Sequence, residues 1–478
     1  MLHLHNYING ELVPPVHGSY LDVFDPSKGE IYAKVPDSDS SDVEESVLAA
    51  SEAFATWAAR SVQERSRILM KIADLIEVNL DRLATAESLD NGKPIHLAKK
   101  IDIPRASENF RFFAQAITQF STQAHEMTDA INYTLRQALG VVGTISPWNL
   151  PLYLFSWKIA PALAAGNCVL AKPSEVTPMT AYLLSKICME AGLPKGVLNI
   201  IHGKGTKVGT AMSKHPRIKA ISFTGSTRVG KAIAEVASPM FKKVSLEMGG
   251  KNPNIIFADC NYEKMLSTTI RSSFANQGQI CLCGSRIFVE QSIYEQFKLD
   301  FVESSKALKV GHPSNPSSDL GAIVSKAHYE KIHAYMDLAK AEGGNILAGG
   351  KAVFPKSYEK GWYIAPTIIE GLAYNCRTNQ EEIFGPVVSI TPFETEEEVL
   401  FYANSTPYGL SCTIWTENIS RANRMARDIQ AGVVWINTWL HRDLRTPFGG
   451  MKRSGVGREG GFEALRFFTE PKNVCIQF

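Results

Sequence analysis

LGVVGTI at residues 139–145, NCVLA at 167–171, VLNIIH at 197–202 and KAISF at 219–223 decide the fold. Each run is too short for a helix, is rich in Val, Ile and Leu, and lacks the polar alternation of a half-exposed strand, as expected of strands buried on both faces. Helical patterns separate them, at about 177–191, 205–213 and 226–237. Strands alternating with helices at this spacing predict βαβ units and a parallel sheet. After Lys251 the alternation restarts, with Ile255-Ile256-Phe257 and Ile287-Phe288-Val289 as strands and a helix near 293–308, so a second α/β unit is expected from about 250 to 448.

Outward from this centre, the first 40 residues read as short strands and turns. Ser41 with Glu44, and Ser61 with Glu64, have capping-box spacing ahead of two amphipathic helices, the second ended by Asn91-Gly92. A further helix carries Arg105, Phe110, Phe113 and Ile117, and Val474-Cys475-Ile476 reads as a terminal strand. The uncharged run 137–157 is long enough to span a bilayer, but Gly140, Gly143, Pro147, Asn149 and Pro151 interrupt it. Such a segment would leave backbone groups unsatisfied in lipid. It reads instead as strand, loop and helix, and no membrane partner is expected.

The 478 residues suffice for several domains and a large core, and 45% hydrophobic content excludes disorder as the main state. Lys+Arg 50 against Asp+Glu 48 leaves a net charge of +2, too balanced for general attraction to nucleic acid. Eight cysteines lie without a framework spacing, and Met1-Leu-His-Leu-His-Asn lacks a basic and apolar leader, so a reducing cytoplasmic location is expected.

Chemistry concentrates at a few places. Cys281 closes the polar segment Phe274-Ala-Asn-Gln-Gly-Gln-Ile-Cys281; a cysteine whose surroundings lower its pKa is an efficient nucleophile. The plainer alternative is a small buried hydrophobe. Cys281-x-Cys283 has no second Cys/His pair at ligand spacing, so no metal is expected. Glu247 ends an apolar strand before Gly249-Gly250. Burial there would raise its pKa and suit it to general-base work, although on its own a solvated Glu beside a turn is the stronger reading. Asn149, between Pro147 and Pro151, is either a rigidly held oxyanion donor or a structural turn residue. Lys172-Pro-Ser-Glu175 follows one strand, and Phe223-Thr-Gly225-Ser226-Thr-Arg-Val-Gly230 follows another and opens a helix. A helix N-terminus suits phosphate, and Lys172 with Glu175 suits a ribose; a carboxylate there favours NAD over NADP.

Taken together, Pro147-Trp-Asn149, Lys172-Pro-Ser-Glu175, Phe223-Thr-Gly-Ser226, Leu246-Glu-Met-Gly-Gly-Lys251, Phe274 to Cys281, Glu382-Ile-Phe-Gly-Pro386 and Pro447 to Arg458 resemble, in order, the motifs of the aldehyde dehydrogenase superfamily over nearly the whole chain. The resemblance implies a Rossmann-like dinucleotide-binding domain at 1–118 and 138–249, an α/β catalytic domain at 250–448, and a small β oligomerisation element at 119–137 with 449–478. Its terminal strand would pair with a neighbouring subunit of a homodimer or homotetramer. It implies a Cys281 nucleophile, an Asn149 oxyanion donor and a Glu247 base that hydrolyses the thioester left after hydride transfer to NAD. Cofactor contacts are expected from Ile145, Ser146, Trp148, Lys172, Ser174, Glu175, Gly205, Gly209, Phe223, Thr224, Gly225, Ser226, Val229, Gly249, Glu382 and Phe384. Two stretches, Asp102 to Phe113 and Asn437 to Arg445, are similar to the branch acting on muconic semialdehydes. Its tunnel arginines match Arg105 and Arg442, which would grip a substrate carboxylate, with Arg445 and His441 as further candidates. The implied reaction is oxidation of 2-aminomuconate 6-semialdehyde to 2-aminomuconate in tryptophan breakdown. The alternatives are 2-hydroxymuconic semialdehyde, a broad aliphatic or retinal-type aldehyde range, or a protein that keeps the fold without the activity.

Overall fold

The computed structural model describes residues 1–478. The four apolar runs form β1 (Val141–Ile145), β2 (Cys168–Lys172), β3 (Leu198–Ile200) and β4 (Ile218–Gly225), and the stretch ending at Glu247 forms β5 (Lys243–Met248). All five are parallel, in the order β5-β4-β1-β2-β3. Every residue of β1 and β2 is buried, which is why neither alternates. An antiparallel hairpin (Asn6–Ile8 with Glu11–Val13) extends the β3 edge, and Gly455–Val456 pairs antiparallel with β5. The chain leaves β1 toward β2 and β3, then returns to build β4 and β5 on the other side. That reversal opens a crevice at the carboxyl ends of β1 and β4, where open α/β sheets bind their ligands.

The second unit is a seven-stranded sheet. Its strands are β6 (Asn252–Ile256), β7 (Gly284–Glu290), β8 (Asn345–Ala348), β9 (Thr367–Glu370), β10 (Val387–Phe393), β11 (Ser411–Trp415) and β12 (Val433–Ile436), in the order β8-β9-β10-β7-β6-β11-β12. Only the edge strand β8 is antiparallel. A third, small sheet places Thr469–Gln477 antiparallel to Ala130–Ala138 along its full length, with Ala124–Glu126 beyond.

Three expectations need correction. The first long helix (Ser40–Ala59) is capped by Asp39 with Asp42, not by Ser41 with Glu44. Asp42 is buried because it also accepts from Asn6 Nδ2 (3.2 Å) and Val16 N (3.0 Å), tying the helix to the amino-terminal strands. The Ser61–Glu64 box is present, but its helix stops at Val78 and restarts at Leu80, broken at Asn79. The terminal strand, expected to pair with a neighbouring subunit, has one edge paired within its own chain, and its outer edge is open. Residues 449–468, grouped by sequence with that strand, lean on the first sheet: Gly455–Val456 joins it, and Ala464, Leu465 and Phe468 enter its hydrophobic core. The uncharged run 137–157 crosses β1, a loop and the start of the helix Pro151–Ala164, and no helix is long and apolar enough to cross a membrane.

Candidate active site

Cys281 sits where two cavities meet. One, of about 480 Å³, is lined by Cys281 and Glu247 with Arg105, Arg442, Tyr153 and Trp157. The other, of about 230 Å³, is lined by Cys281 with Asn149, Trp148, Gly249, Glu382 and Phe384. The loop carrying Cys281 is shaped by three successive left-handed residues, Asn276 (φ 51°), Gln277 (φ 55°) and Gly278 (φ 69°). Such strained backbone persists only where its surroundings fix it. Here Asn276 Nδ2 donates to Asn149 O (3.0 Å), Gln277 Nε2 to Ala322 O (2.8 Å), and Asn252 Nδ2 to both Cys281 O (2.7 Å) and Cys283 O (2.9 Å). Only glycine fits at 278, where a Cβ would lie 2.1 Å from Gly385 O.

Asn149 follows β1 and precedes Pro151, which starts a helix with its fixed φ. Its side chain is buried, and Nδ2 donates to Gln279 O (3.0 Å). A primary amide has two N–H donors, so one remains for a ligand. Glu247 lies near the end of β5, 3% exposed, and neither carboxylate oxygen has a partner. Burial, reinforced by the nearby Glu459 charge, pushes its pKa well above the usual carboxylate range against Lys158, Arg458 and Arg442. The Cys281 thiol is also pushed up, first by burial and then by Glu382 and Glu247, with Arg442 opposing. The sequence reading expected surroundings that lower that pKa; here burial raises it instead.

The two arginines converge on this cavity differently. Arg442 is half-buried, its guanidinium carbon 3.9 Å from the Phe448 ring centre and 4.8 Å from that of Trp157, and its Nε and Nη2 are buried without a hydrogen-bond partner. Arg105 lies 5.6 Å from the Tyr153 ring centre and reaches Glu108 at 3.3 Å. His441 lines the same cavity, whereas Arg445 is an exposed partner of Asp443 and does not. Cys283 is buried, and its carbonyl rather than its thiol is used.

The smaller cavity lies at the carboxyl ends of β1, β4 and β5. Trp148 meets Phe384 edge-on at 5.3 Å. Glu382 Oε1 accepts from Gly250 N (3.1 Å), and burial holds its carboxyl up to about 7. Thr224, Gly225 and Ser226 line the cavity, and Ser226 caps the helix Thr227–Ala237 by accepting from Val229 N (3.4 Å). Val229 itself is 39% exposed. Outside the cavity, Lys172 Nζ pairs with Glu175 Oε2 (3.0 Å), Glu175 Oε1 accepts from Gly205 N (3.4 Å), and Ser174 Oγ accepts from Val176 N (3.2 Å). Ser146 donates its backbone N–H to Lys172 O (3.0 Å), and Gly209 lies in the turn before the helix Thr210–Lys214. Ile145 and Phe223 are core residues that line neither cavity.

A family model described as "Aldehyde dehydrogenase family" matches residues 13–474. The chain belongs to the aldehyde dehydrogenase family. Among curated relatives of this aldehyde dehydrogenase, 2-aminomuconic semialdehyde dehydrogenase of Danio rerio is 51% identical, covering 99% of this chain and 98% of the relative. The Homo sapiens protein of the same name is 49% identical over 100% and 99%. A 2-hydroxymuconic semialdehyde dehydrogenase of Pseudomonas sp. (strain CF600) is 44% identical over 100% of both. Among solved structures, PnpE from Pseudomonas sp. WBC-3 superposes with a TM-score of 0.97 at 39% identity, covering 100% of this chain and 98% of that one. An NAD+ complex of aldehyde dehydrogenase from Bacillus cereus gives 0.97 at 38%, covering 100% and 97%.

The cofactor of this NAD-dependent aldehyde dehydrogenase is NAD, and the residues present fit it. Ser146 Oγ and Thr224 Oγ1 are buried without partners beside the crevice. Gly249 leaves room that a side chain would take from Glu382: a Cβ would stand 1.9 Å from its Oε1. Sequence reasoning missed four residues here. His328 and Lys331 line the smaller cavity, bonded to Phe384 O (2.7 Å) and Glu382 O (3.1 Å). Their i, i+3 spacing on an ordinary amphipathic helix gives no signal. Lys158 Nζ lies 2.5 Å from Glu459 Oε1 behind Glu247, with Ser222 Oγ bonded to both. Glu459 stands one residue past the Pro447–Arg458 motif.

Proposed function

We propose that this aldehyde dehydrogenase oxidises 2-aminomuconate 6-semialdehyde to 2-aminomuconate in tryptophan breakdown. The observation that carries the proposal is Arg442: a buried guanidinium with two unpartnered N–H groups in the cavity that holds Cys281 and Glu247. An unpaired buried charge is costly, so a site that keeps one is suited to a ligand of opposite charge. The substrate carries a carboxylate at the end away from the aldehyde, and Arg105 supplies a second fork for it. The relatives' names support the same substrate. A second reading, 2-hydroxymuconic semialdehyde, is favoured by the CF600 relative, and its carboxylate would meet the same arginines.

In this reading the Cys281 thiol gives its proton to solvent in the larger cavity as its sulfur attacks the aldehyde carbon, and the Asn149 amide with the Cys281 backbone N–H holds the developing oxyanion. Trp148, Glu382 and Phe384 of the smaller cavity would hold the nicotinamide end of NAD, which would supply the hydride acceptor for the carbon held on Cys281. Glu247, deprotonated, draws a proton from water and releases the acid from the thioester. Lys172 and Glu175 would hold the adenosine ribose, and Glu382 the nicotinamide ribose. The chain divides into 1–118 with 138–249 and the returning segment 449–468, then 250–448, and a small β element of 119–137 with the terminal strand. A homodimer or homotetramer is supported by the open edge of the terminal strand, and a reducing cytoplasmic location by eight unpaired cysteines.

The test compares Arg105→Ala and Arg442→Lys, the latter keeping a charge beside Glu247 while removing the fork. Hydrogen bonds to charged groups contribute about 1.5–3 kcal/mol each, so kcat/KM for the semialdehydes should fall roughly 10–100-fold per variant. Turnover of hexanal should change little. Equal losses on both substrates would remove the carboxylate anchor and leave a general aldehyde dehydrogenase.

A further inference from the structure

We propose that Lys93 is a positioning residue for Asn149, acting through the peptide carbonyl of Asn149 itself. The inference rests on the reading of Asn149 as the oxyanion donor. Lys93 is wholly buried between Glu87 and Asp102, which are buried too. An ammonium has three N–H donors. Lys93 directs them to Asp102 Oδ2 (2.8 Å), Asn149 O (3.2 Å) and Glu87 Oε1 (3.5 Å). The other Glu87 oxygen accepts from Leu152 N (3.3 Å), in the first turn of the helix that follows Asn149. One ion cluster therefore grips the carbonyl of residue 149 and the N–H of residue 152.

Two more donors reach the same carbonyl. Asn91 Nδ2 lies 3.3 Å from it and Asn276 Nδ2 3.0 Å from it. Asn276 belongs to the loop that carries Cys281, and the Asn149 side chain donates back to Gln279 O in that loop (3.0 Å). Asn149 is thus tied to the nucleophile's loop through its main chain and its side chain. A cation against two buried carboxylates is a poor way to gain stability, because desolvation offsets the Coulombic attraction. It is a good way to fix one peptide group. Lys93 and Asp102 also reach the wall of the larger cavity, and Asp102 lies one helical turn before Arg105. The cluster thereby connects the proposed carboxylate anchor to the oxyanion donor.

The experiment measures single-turnover NADH formation, thioester hydrolysis, NAD affinity and Tm in Lys93→Met, Lys93→Gln and Lys93→Arg, with Asn149→Ala as reference. A misplacement of about 1 Å costs on the order of 10²-fold in a positioned reaction, so Lys93→Met should slow NADH formation by about that factor. Its NAD affinity should stay within threefold, and thioester hydrolysis, which develops an oxyanion on the same oxygen, should slow as well. Lys93→Gln and Lys93→Arg, which still offer the carbonyl a donor, should recover part of the rate. The double variant Lys93→Met/Asn149→Ala should be no slower than Asn149→Ala alone. If Asn149→Ala is slow while folded Lys93→Met is normal, or if the two losses multiply, the Lys93 proposal is overturned. If Asn149→Ala itself forms NADH normally, the oxyanion reading fails and takes this proposal with it. Should Lys93→Met not fold, Asn276→Ala and Asn91→Ala remove the other two donors; slowed NADH formation in either supports the proposal, and normal rates in both overturn it.

Discussion

Glu247 shows how the site stores its chemistry in single residues. Its carboxyl is buried and unpartnered, and its pKa is raised. A base must be deprotonated to act, so thioester hydrolysis should gain rate as pH rises through that raised pKa and lose it as pH falls. Glu459 contributes to the upward push and also holds Lys158 away at 2.5 Å. In Glu459→Gln the like charge disappears and Lys158 is freed toward Glu247, so the acidic limb of the kcat profile should move to lower pH. An unmoved limb would show that burial alone sets the pKa. Removing the base outright, in Glu247→Gln, should leave a stoichiometric burst of NADH followed by turnover slower by roughly 10²–10⁴-fold, the usual contribution of a positioned general base. Stopped-flow absorbance separates the two phases. Cys281, Glu247 and Asn149, which line the two joined cavities, each lie inside a motif visible in the sequence. Lys158 and Glu459 do not: they stand 301 positions apart, and only the antiparallel return of Gly455–Val456 onto β5 brings them together behind Glu247.

At the scale of elements, the buried strands were the easiest to read, since a parallel sheet covered on both faces leaves no polar alternation to confuse the pattern. Helix starts were harder. Asp39 and Ser41 are both good capping residues, and the choice between them is made by Asp42 reaching Asn6 and Val16 N, contacts that span 36 and 26 positions. The turn between β5 and β6 offers a sharper test. Gly249 has no left-handed requirement; it is glycine because the Glu382 carboxylate occupies the space of a side chain. Gly249→Ala should displace Glu382 from its bond to Gly250 N and weaken NAD binding about tenfold, equivalent to about 1.4 kcal/mol, with little change in Tm. Titration calorimetry with NAD measures this directly. Unchanged affinity would mean that Glu382 moves freely and is not held for the cofactor.

On the scale of the whole molecule, two α/β sheets meet at Cys281, and the small sheet stands apart from the chemistry. Its terminal strand was legible as a strand, but its pairing was not, because a neighbouring subunit and the segment 130–138 can both satisfy one edge. The chain satisfies the inner edge itself. The outer edge is unpaired, and the sheet exposes Met127 (53%), Leu135 (41%), Ile476 (49%) and Phe478 (80%). Proteins that remain monomeric usually blunt such an edge with charge or proline. Lys472 and Pro471 lie on this strand, but the stretch from Val474 to Phe478 carries no charged side chain. That makes the carboxyl-terminal half the part suited to a second copy. Leu135→Lys with Ile476→Lys should therefore reduce the mass seen by light scattering from a dimer or tetramer toward smaller species, while NAD affinity per chain stays unchanged because no residue of this sheet lines either cavity. A wild-type chain that is already monomeric, or a double variant of unchanged mass, would assign assembly to another face.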